Sequence, residues 1–108
     1  MTADPVLALS LRPRIIEAVC SVYDPEIPVN IWELGLIYDV DIDSERRVQI
    51  RMSLTAPGCP SAQALPIEVE RKVRAVEGVA DVVVEVVWEP AWSPERMSDA
   101  AKLQLGML

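Results

Sequence analysis

The chain has 108 residues, with 17 Asp and Glu against 10 Lys and Arg, which gives a net charge of −7. This length is typical of one domain, and the acidic balance argues against nucleic acid and against an anionic membrane surface as partners. The chain has no His, which excludes Ser-His-Asp and Cys-His relays within one chain, as well as imidazole metal sites. Two Cys do not make the disulfide framework of a small secreted domain, so we expect a cytoplasmic protein with reduced thiols.

The first half of the sequence predicts a helix, a proline-rich loop and a hairpin. We expect residues 1–10 to be a flexible arm of a single domain that covers 1–108. Apolar residues three or four apart predict a helix over 11–23. Apolar and polar residues alternate over 36–43 and again over 48–55, which predicts an antiparallel β-hairpin. The inward-facing residues of this hairpin would be Tyr38, Val40, Ile50 and Met52.

The second half of the sequence predicts a helix, a third strand and a last short helix. After the break at 56–61 the helix runs to about Val76, and Pro66 should kink or split it. Alternation over 79–88 predicts the third strand, and Ser93 followed by proline predicts the N-cap of a helix that ends at Gly106.

The predicted order is helix-strand-strand-helix-strand-helix, which indicates an α+β fold. We expect a small mixed three-stranded sheet with the helices packed on one face. Right-handed crossover predicts that the third strand is parallel to one of the other two, and the sequence leaves open which one.

Cys59 is the leading candidate for chemistry. It lies in Pro57-Gly58-Cys59-Pro60, between a predicted strand and a predicted helix, where free amides and the helix dipole stabilise a thiolate. Such a thiol can serve as a nucleophile or as a soft-metal ligand. The alternative is a small buried residue in a tight turn. Cys20 falls on the apolar face of the first helix, and we predict a structural role for it in the core.

Three polar residues could act together with Cys59. Asp24 and Glu26 lie two residues apart in the proline-rich loop and could ligate a metal or act as a base toward a thiol. A solvated loop is the alternative. Thr55 ends the second predicted strand four residues before Cys59, so its hydroxyl could orient the thiol. It could equally be an ordinary strand residue.

Tryptophans suggest a candidate interaction surface. Trp88 and Trp92 flank Glu89 and Pro90, and exposed aromatic residues anchor many interfaces. Trp32, in the apolar loop before the first strand, is a third candidate for this surface. The alternative, which the small size of the core favours, is that these side chains cover the core.

Three separated segments of the chain resemble one known family. They read DPEIPVNIWELGLIY over 24–38, LTAPGCP over 54–60 and WEPAWSPERM over 88–97. In this order they resemble the small metal–sulfur cluster biosynthetic proteins, which include SufT-like factors, the eukaryotic cytosolic iron–sulfur targeting factor and PaaD-like proteins. The last segment is most similar to the SufT branch, and the sequence ends without the cysteine-rich tail of PaaD-like members.

The resemblance implies an accessory factor in iron–sulfur cluster assembly or in the maturation of iron–sulfur proteins. It implies one site formed by Asp24, Glu26, Thr55 and Cys59, with Cys59 as a transient metal or sulfur ligand. A cluster commonly takes four thiolates, whereas one chain supplies one candidate thiolate and a homodimer supplies two. We therefore expect no stably bound cofactor, only transient iron or an iron–sulfur cluster.

The implied partners are iron–sulfur scaffold or recipient proteins. Two other functions remain open at this point. One is a non-catalytic protein-interaction adaptor, in which Cys59 is structural. The other is a thiol-dependent enzyme of PaaD-like type, which the absence of His makes the weaker alternative to a factor that is not an enzyme.

Overall fold

The computed structural model describes residues 5–24, 27–55 and 60–107, and their side chains apart from those of 5–10 and 60–62. It confirms the α+β class and the predicted order of helices and strands. The elements are α1 (Pro5–Val19), β1 (Ile37–Ile42), β2 (Arg47–Met52), α2 (Pro60–Arg74), β3 (Asp81–Val86), a 3-10 turn (Pro94–Arg96) and α3 (Asp99–Gln104). No helix in these ranges is long and apolar enough to cross a membrane.

The sheet has three strands in the order β1-β2-β3. β1 and β2 form the predicted antiparallel hairpin. β3 is parallel to β2, from the pair Arg47 and Asp81 to the pair Met52 and Val86, which answers the question that the sequence left open. The chain between these parallel strands contains α2, so β2, α2 and β3 form a β-α-β unit.

The core lies between one face of the sheet and the helices. In β2 the even-numbered residues are buried and the odd-numbered ones are exposed, so one face of the sheet is covered and the other faces solvent. α2 packs on β3, and α1 packs on α2. Buried apolar side chains from α1, α2, β1 and β2 meet there, including Leu11, Ile15, Val19, Val40, Val48, Ile50, Met52, Leu65, Val69 and Val73.

A β-bulge in β1 changes the face on which one predicted core residue lies. The register shifts between Ile37 and Asp39, so Tyr38 is the extra residue and Ile37 packs against the core instead. The prediction that Tyr38 faces inward is therefore wrong. Its hydroxyl donates a hydrogen bond of 2.9 Å to the carbonyl oxygen of Pro90. The other three predicted inward residues of the hairpin are buried, as expected.

The first helix lies further toward the N-terminus than predicted. It begins at Pro5 and so includes six residues of the predicted arm, while residues 1–4 lie outside the described ranges. It ends at Val19, where the backbone tightens into a hydrogen bond from Ser21 to the carbonyl of Ala18. Cys20 therefore follows the helix and is half-buried, outside the core, which corrects its predicted core position.

The segment after β3 also differs from its prediction. Ser93 makes no side-chain cap, and the short turn that follows it ends at Met97, which has an extended backbone. The last helix is capped instead by Ser98, whose hydroxyl accepts a hydrogen bond from the backbone of Ala101 at 3.1 Å. In α2, Pro66 lies within one continuous helix that is not split.

Candidate functional site

The candidate site lies at the carboxyl ends of the two parallel strands. β2 ends at Met52 and β3 ends at Val86, and these two residues are paired. The chain continues from β2 through Ser53–Thr55, and α2 begins at Pro60. In open α/β sheets ligands bind outside the carboxyl ends of parallel strands, so this edge is the expected place for a site.

A cavity of about 460 Å³ opens at this edge, and we call it the tryptophan groove. Its walls are mostly apolar, and its size is within the range of small-molecule and side-chain binding pockets. The predicted site residue Thr55 lines it and is half-buried. The described lining residues are Ser53, Leu54, Thr55, Trp88, Ala91 and Trp92.

Two of the three candidate tryptophans meet in this groove. Trp88 is 46% exposed, whereas Trp92 is half-buried and donates a hydrogen bond of 2.7 Å from Nε1 to the carbonyl oxygen of Leu34. Trp32 is also half-buried and packs against the core, and it is not among the described residues that line the groove. The alternative that the tryptophans cover the core is therefore correct for Trp32 and in part for Trp92. The ring of Trp88 is instead partly exposed to solvent.

Ser53 is a groove residue that the sequence analysis missed. It is fully buried, at 0% exposure, and its Oγ has no hydrogen-bond partner within residues 5–24, 27–55 and 60–107. Its backbone N–H donates to the carbonyl of Leu36 at 2.8 Å. Strict alternation in β2 places Ser53 on the solvent face, and no local pattern signals its burial.

Asp24 lies in the loop after α1 and is buried, at 6% exposure, so the solvated-loop alternative does not describe it. The residue before it, Tyr23, forms an isolated β-bridge with Asn30. Asp24 is not among the described residues that line the groove. Glu26 and Cys59 lie outside the described ranges, so the convergence of Asp24, Glu26, Thr55 and Cys59 stays a prediction.

Cys20 is a poor candidate for thiol chemistry. Burial raises the pKa of its thiol, and the negative charges of Glu33 and Glu17 raise it further. The neutral thiol is a weak nucleophile and a weak metal ligand. Within 5–24, 27–55 and 60–107, no three Cys, Asp or Glu side chains come together as a metal site.

Comparison with known proteins places the chain among relatives of similar length. It is 46% identical over 100 residues to the Fe-S protein maturation auxiliary factor of Porphyromonas gingivalis, covering 93% of this chain and 95% of that protein. It is 36% identical over 86 residues to the Fe-S protein maturation auxiliary factor SufT of Staphylococcus aureus, covering 80% of this chain and 98% of that one.

Solved structures agree with the fold. A domain of unknown function, DUF59, from Bacillus anthracis is 38% identical, covers 92% of this chain and 94% of its own, and superposes with a TM-score of 0.83. A conserved hypothetical protein of Thermotoga maritima is 36% identical, covers 85% and 90%, and has a TM-score of 0.73. Residues 12–86 match the family described as iron-sulfur cluster assembly protein, which confirms the resemblance seen in the three segments. The chain belongs to this family of iron–sulfur cluster assembly proteins.

Proposed function

We propose that this chain is an accessory factor in iron–sulfur cluster assembly or in the maturation of iron–sulfur proteins. One observation carries the proposal: a match to the family over residues 12–86, joined to 46% identity with a maturation auxiliary factor over nearly the whole of both chains. The groove at the carboxyl ends of β2 and β3 supports a role that includes binding another molecule.

Cys59 is the residue to which we assign the transient binding of metal or sulfur. Its successor Pro60 is the first residue of α2, a helix of 15 residues, and free amides at a helix start stabilise a thiolate. The other thiol, Cys20, has a raised pKa, because it is partly buried and lies near carboxylates. Asp24, Glu26 and Thr55 complete the proposed site.

The small number of cysteines supports transient rather than permanent binding. The chain has two Cys and no His, whereas a cluster commonly takes four thiolates. A cluster or an iron ion held by Cys59 would therefore need ligands from a scaffold or recipient protein, or from the partner in a homodimer. We place this exchange in the cytoplasm, where thiols stay reduced.

The test replaces Cys59 with Ser in cells that lack the native copy. Serine is nearly isosteric but is a poor soft-metal ligand and cannot carry a persulfide. We expect the activity of an iron–sulfur enzyme to fall to the level of cells without the factor, with an unchanged melting temperature of the purified variant. Cys20→Ser is the matched control and should keep the activity. Anaerobic addition of iron and sulfide, followed by absorbance, would then show whether wild-type protein acquires a cluster that Cys59→Ser does not.

The adaptor is a second candidate function, and the exposed ring of Trp88 in an apolar groove favours it. It predicts the opposite pair of results for Cys59→Ser. If the thiol is structural, enzyme activity persists while the melting temperature falls, because the buried hydroxyl then lacks a partner.

A further inference from the structure

Two hollows are lined by the segment that follows β3. One is the tryptophan groove. The other is a cavity of about 240 Å³ that we call the carboxylate hollow. Residues 88, 91 and 92 contribute to the first hollow and residues 87, 89 and 90 to the second, so the two are adjacent. The described lining of the carboxylate hollow is Tyr38, Asp39, Arg51, Val87, Glu89 and Pro90.

The tryptophan groove suits an apolar side chain. Leu54 and Ala91 form part of its walls with the two tryptophans, and the ring of Trp88 is 46% exposed. A large aromatic side chain left half in solvent next to an open apolar cavity is typical of a binding surface.

The carboxylate hollow has unpaired negative charge. Asp39 and Glu89 are exposed, and the carboxylate of neither forms an ion pair or hydrogen bond within the described residues, although Asp39 is the cross-strand partner of Arg51. Two cations lie nearby: Arg51 pairs with Glu85 at 3.3 Å, and the guanidinium of Arg96 lies over the ring of Tyr38, 4.4 Å from its centroid. The ring does not neutralise Arg96, so the carboxylates of Asp39, Glu85 and Glu89 exceed the two guanidinium groups by one charge. With a net charge of −7 on the whole chain, this hollow attracts a cation rather than an anion.

We propose that the two hollows together bind an extended segment of a partner protein, with an apolar side chain in the tryptophan groove and a neighbouring Lys or Arg in the carboxylate hollow. The carboxylates of Asp39 and Glu89 receive the basic side chain. That this partner is an iron–sulfur protein rests on the proposed function, whereas the chemistry of the segment rests on the hollows alone.

The test is a selection of random displayed peptides on the immobilised full-length chain. We expect the enriched peptides to carry an apolar residue within a few positions of Lys or Arg. Affinities of labelled synthetic copies are then measured by fluorescence anisotropy. Trp88→Ser should lower the affinity about tenfold, the effect of removing an interface anchor. The double variant Asp39→Lys, Glu89→Lys should lose the basic peptides and select acidic ones.

Matched controls change similar residues elsewhere on the surface. Leu103 in α3 is 67% exposed, so Leu103→Ser removes an exposed apolar side chain away from the groove. Glu77 precedes β3 at the end opposite to Glu89, so Glu77→Lys makes a charge reversal outside the hollow. Both controls should bind the selected peptides with the affinity of the wild type. Circular dichroism melting of every variant shows whether a loss of binding comes from unfolding.

Four results would overturn the proposal. In the selection, these are enriched peptides that are acidic or uncharged, or no enrichment above that on an unrelated acidic protein. In the binding measurements, it is an affinity that Trp88→Ser leaves unchanged. The fourth is self-association of the wild type that Trp88→Ser abolishes. The last result would make a second copy of the chain the occupant. Cys59→Ser should bind the peptides normally, so loss of peptide binding and loss of maturation are separate outcomes.

Discussion

Gly35 controls how closely the segment after β3 approaches the start of the sheet, and replacing it with Ala should destabilise the fold strongly. Gly35 precedes β1 with φ at +78°. A Cβ built there would overlap the carbonyl oxygen of Arg96, with the carbonyl carbon at 2.8 Å and the Arg96 Cβ at 2.9 Å. Because the obstructing atoms are mostly backbone, no side-chain rotation removes the overlap.

Two effects lower the free energy of unfolding in Gly35→Ala, one from the backbone conformation and one from the steric overlap. A left-handed backbone costs a non-glycine residue about 1–2 kcal/mol. Forcing extra volume against a fixed backbone costs about 1–3 kcal/mol. The expected loss of unfolding free energy is therefore about 2–5 kcal/mol, a large part of the roughly 5–15 kcal/mol that stabilises a domain. Gly106 separates the two costs, because its φ is +74° and an added Cβ meets nothing within 4 Å. Gly106→Ala should lose only the first cost, about 1–2 kcal/mol.

Urea unfolding of both variants, followed by tryptophan fluorescence, measures the difference. We expect Gly35→Ala to unfold at lower urea than Gly106→Ala, with similar slopes. Since Arg96 must move to admit the methyl group, the affinity of the selected peptides for Gly35→Ala should also fall. If the two variants unfold at the same urea concentration, the close approach of Arg96 does not constrain the fold and the reasoning fails.

Three smaller changes test other contacts. Trp92→Phe leaves the carbonyl of Leu34 without its hydrogen bond of 2.7 Å and should cost about 1–2 kcal/mol in urea unfolding, while an unchanged midpoint would contradict this. Because the pKa of Cys20 is raised, its alkylation rate at neutral pH should be below that of a peptide thiol, and an equal or faster rate would contradict the raised pKa. Hydrogen bonds from neighbouring arginines lower the pKa of Asp43 and Asp81 in the folded protein. These two carboxylates therefore stabilise the fold above about pH 4, which is the pKa of Asp in the unfolded chain. This stabilisation is lost as the pH falls through their lower pKa values in the folded state. The double variant Asp43→Asn, Asp81→Asn should therefore show a shallower acid loss of stability than wild type, by a small amount because both groups are exposed, and an identical pH profile would refute the assignment.

The sequence predicts correctly those strands in which one face is buried and the other exposed along the whole strand. In β2 the residues Val48, Ile50 and Met52 are all buried, and the exposed residues alternate with them. The alternation in the sequence matches the alternation in burial because the same face of β2 packs against the core along the whole strand. In β1 the same rule fails at Tyr38, which is the extra residue of the bulge and whose hydroxyl bonds to Pro90, 52 residues away. No local alternation contains that information.

The start of the first helix was predicted wrongly because of Pro13. The rule that a proline belongs in the first turn led to a predicted start at residue 11, just before Pro13. The helix in fact begins at Pro5 and holds Pro13 in its interior. An interior proline costs about 3 kcal/mol, whereas each fully buried Leu, Ile or Val contributes about 1.5–3 kcal/mol. Leu11, Ile15 and Val19 are all fully buried on this helix, so their packing offsets the cost of an interior Pro13. They are helical whether the helix begins at residue 5 or at residue 11, so their burial does not set its start.

The sequence motifs that contribute to the candidate site could be predicted, but the way they pack together to form the tryptophan groove could not. The segment after β3 is fixed at three points to the chain that surrounds the start of β1. Tyr38 binds the carbonyl of Pro90, Trp92 binds the carbonyl of Leu34, and the backbone of Ser98 donates to the carbonyl of Glu33 at 2.8 Å. All three bonds join residues more than fifty positions apart in the sequence. The wall of the tryptophan groove is therefore tied to the sheet before any partner arrives. A partner that enters a preformed groove orders few additional groups, so most of its contact energy is available for affinity.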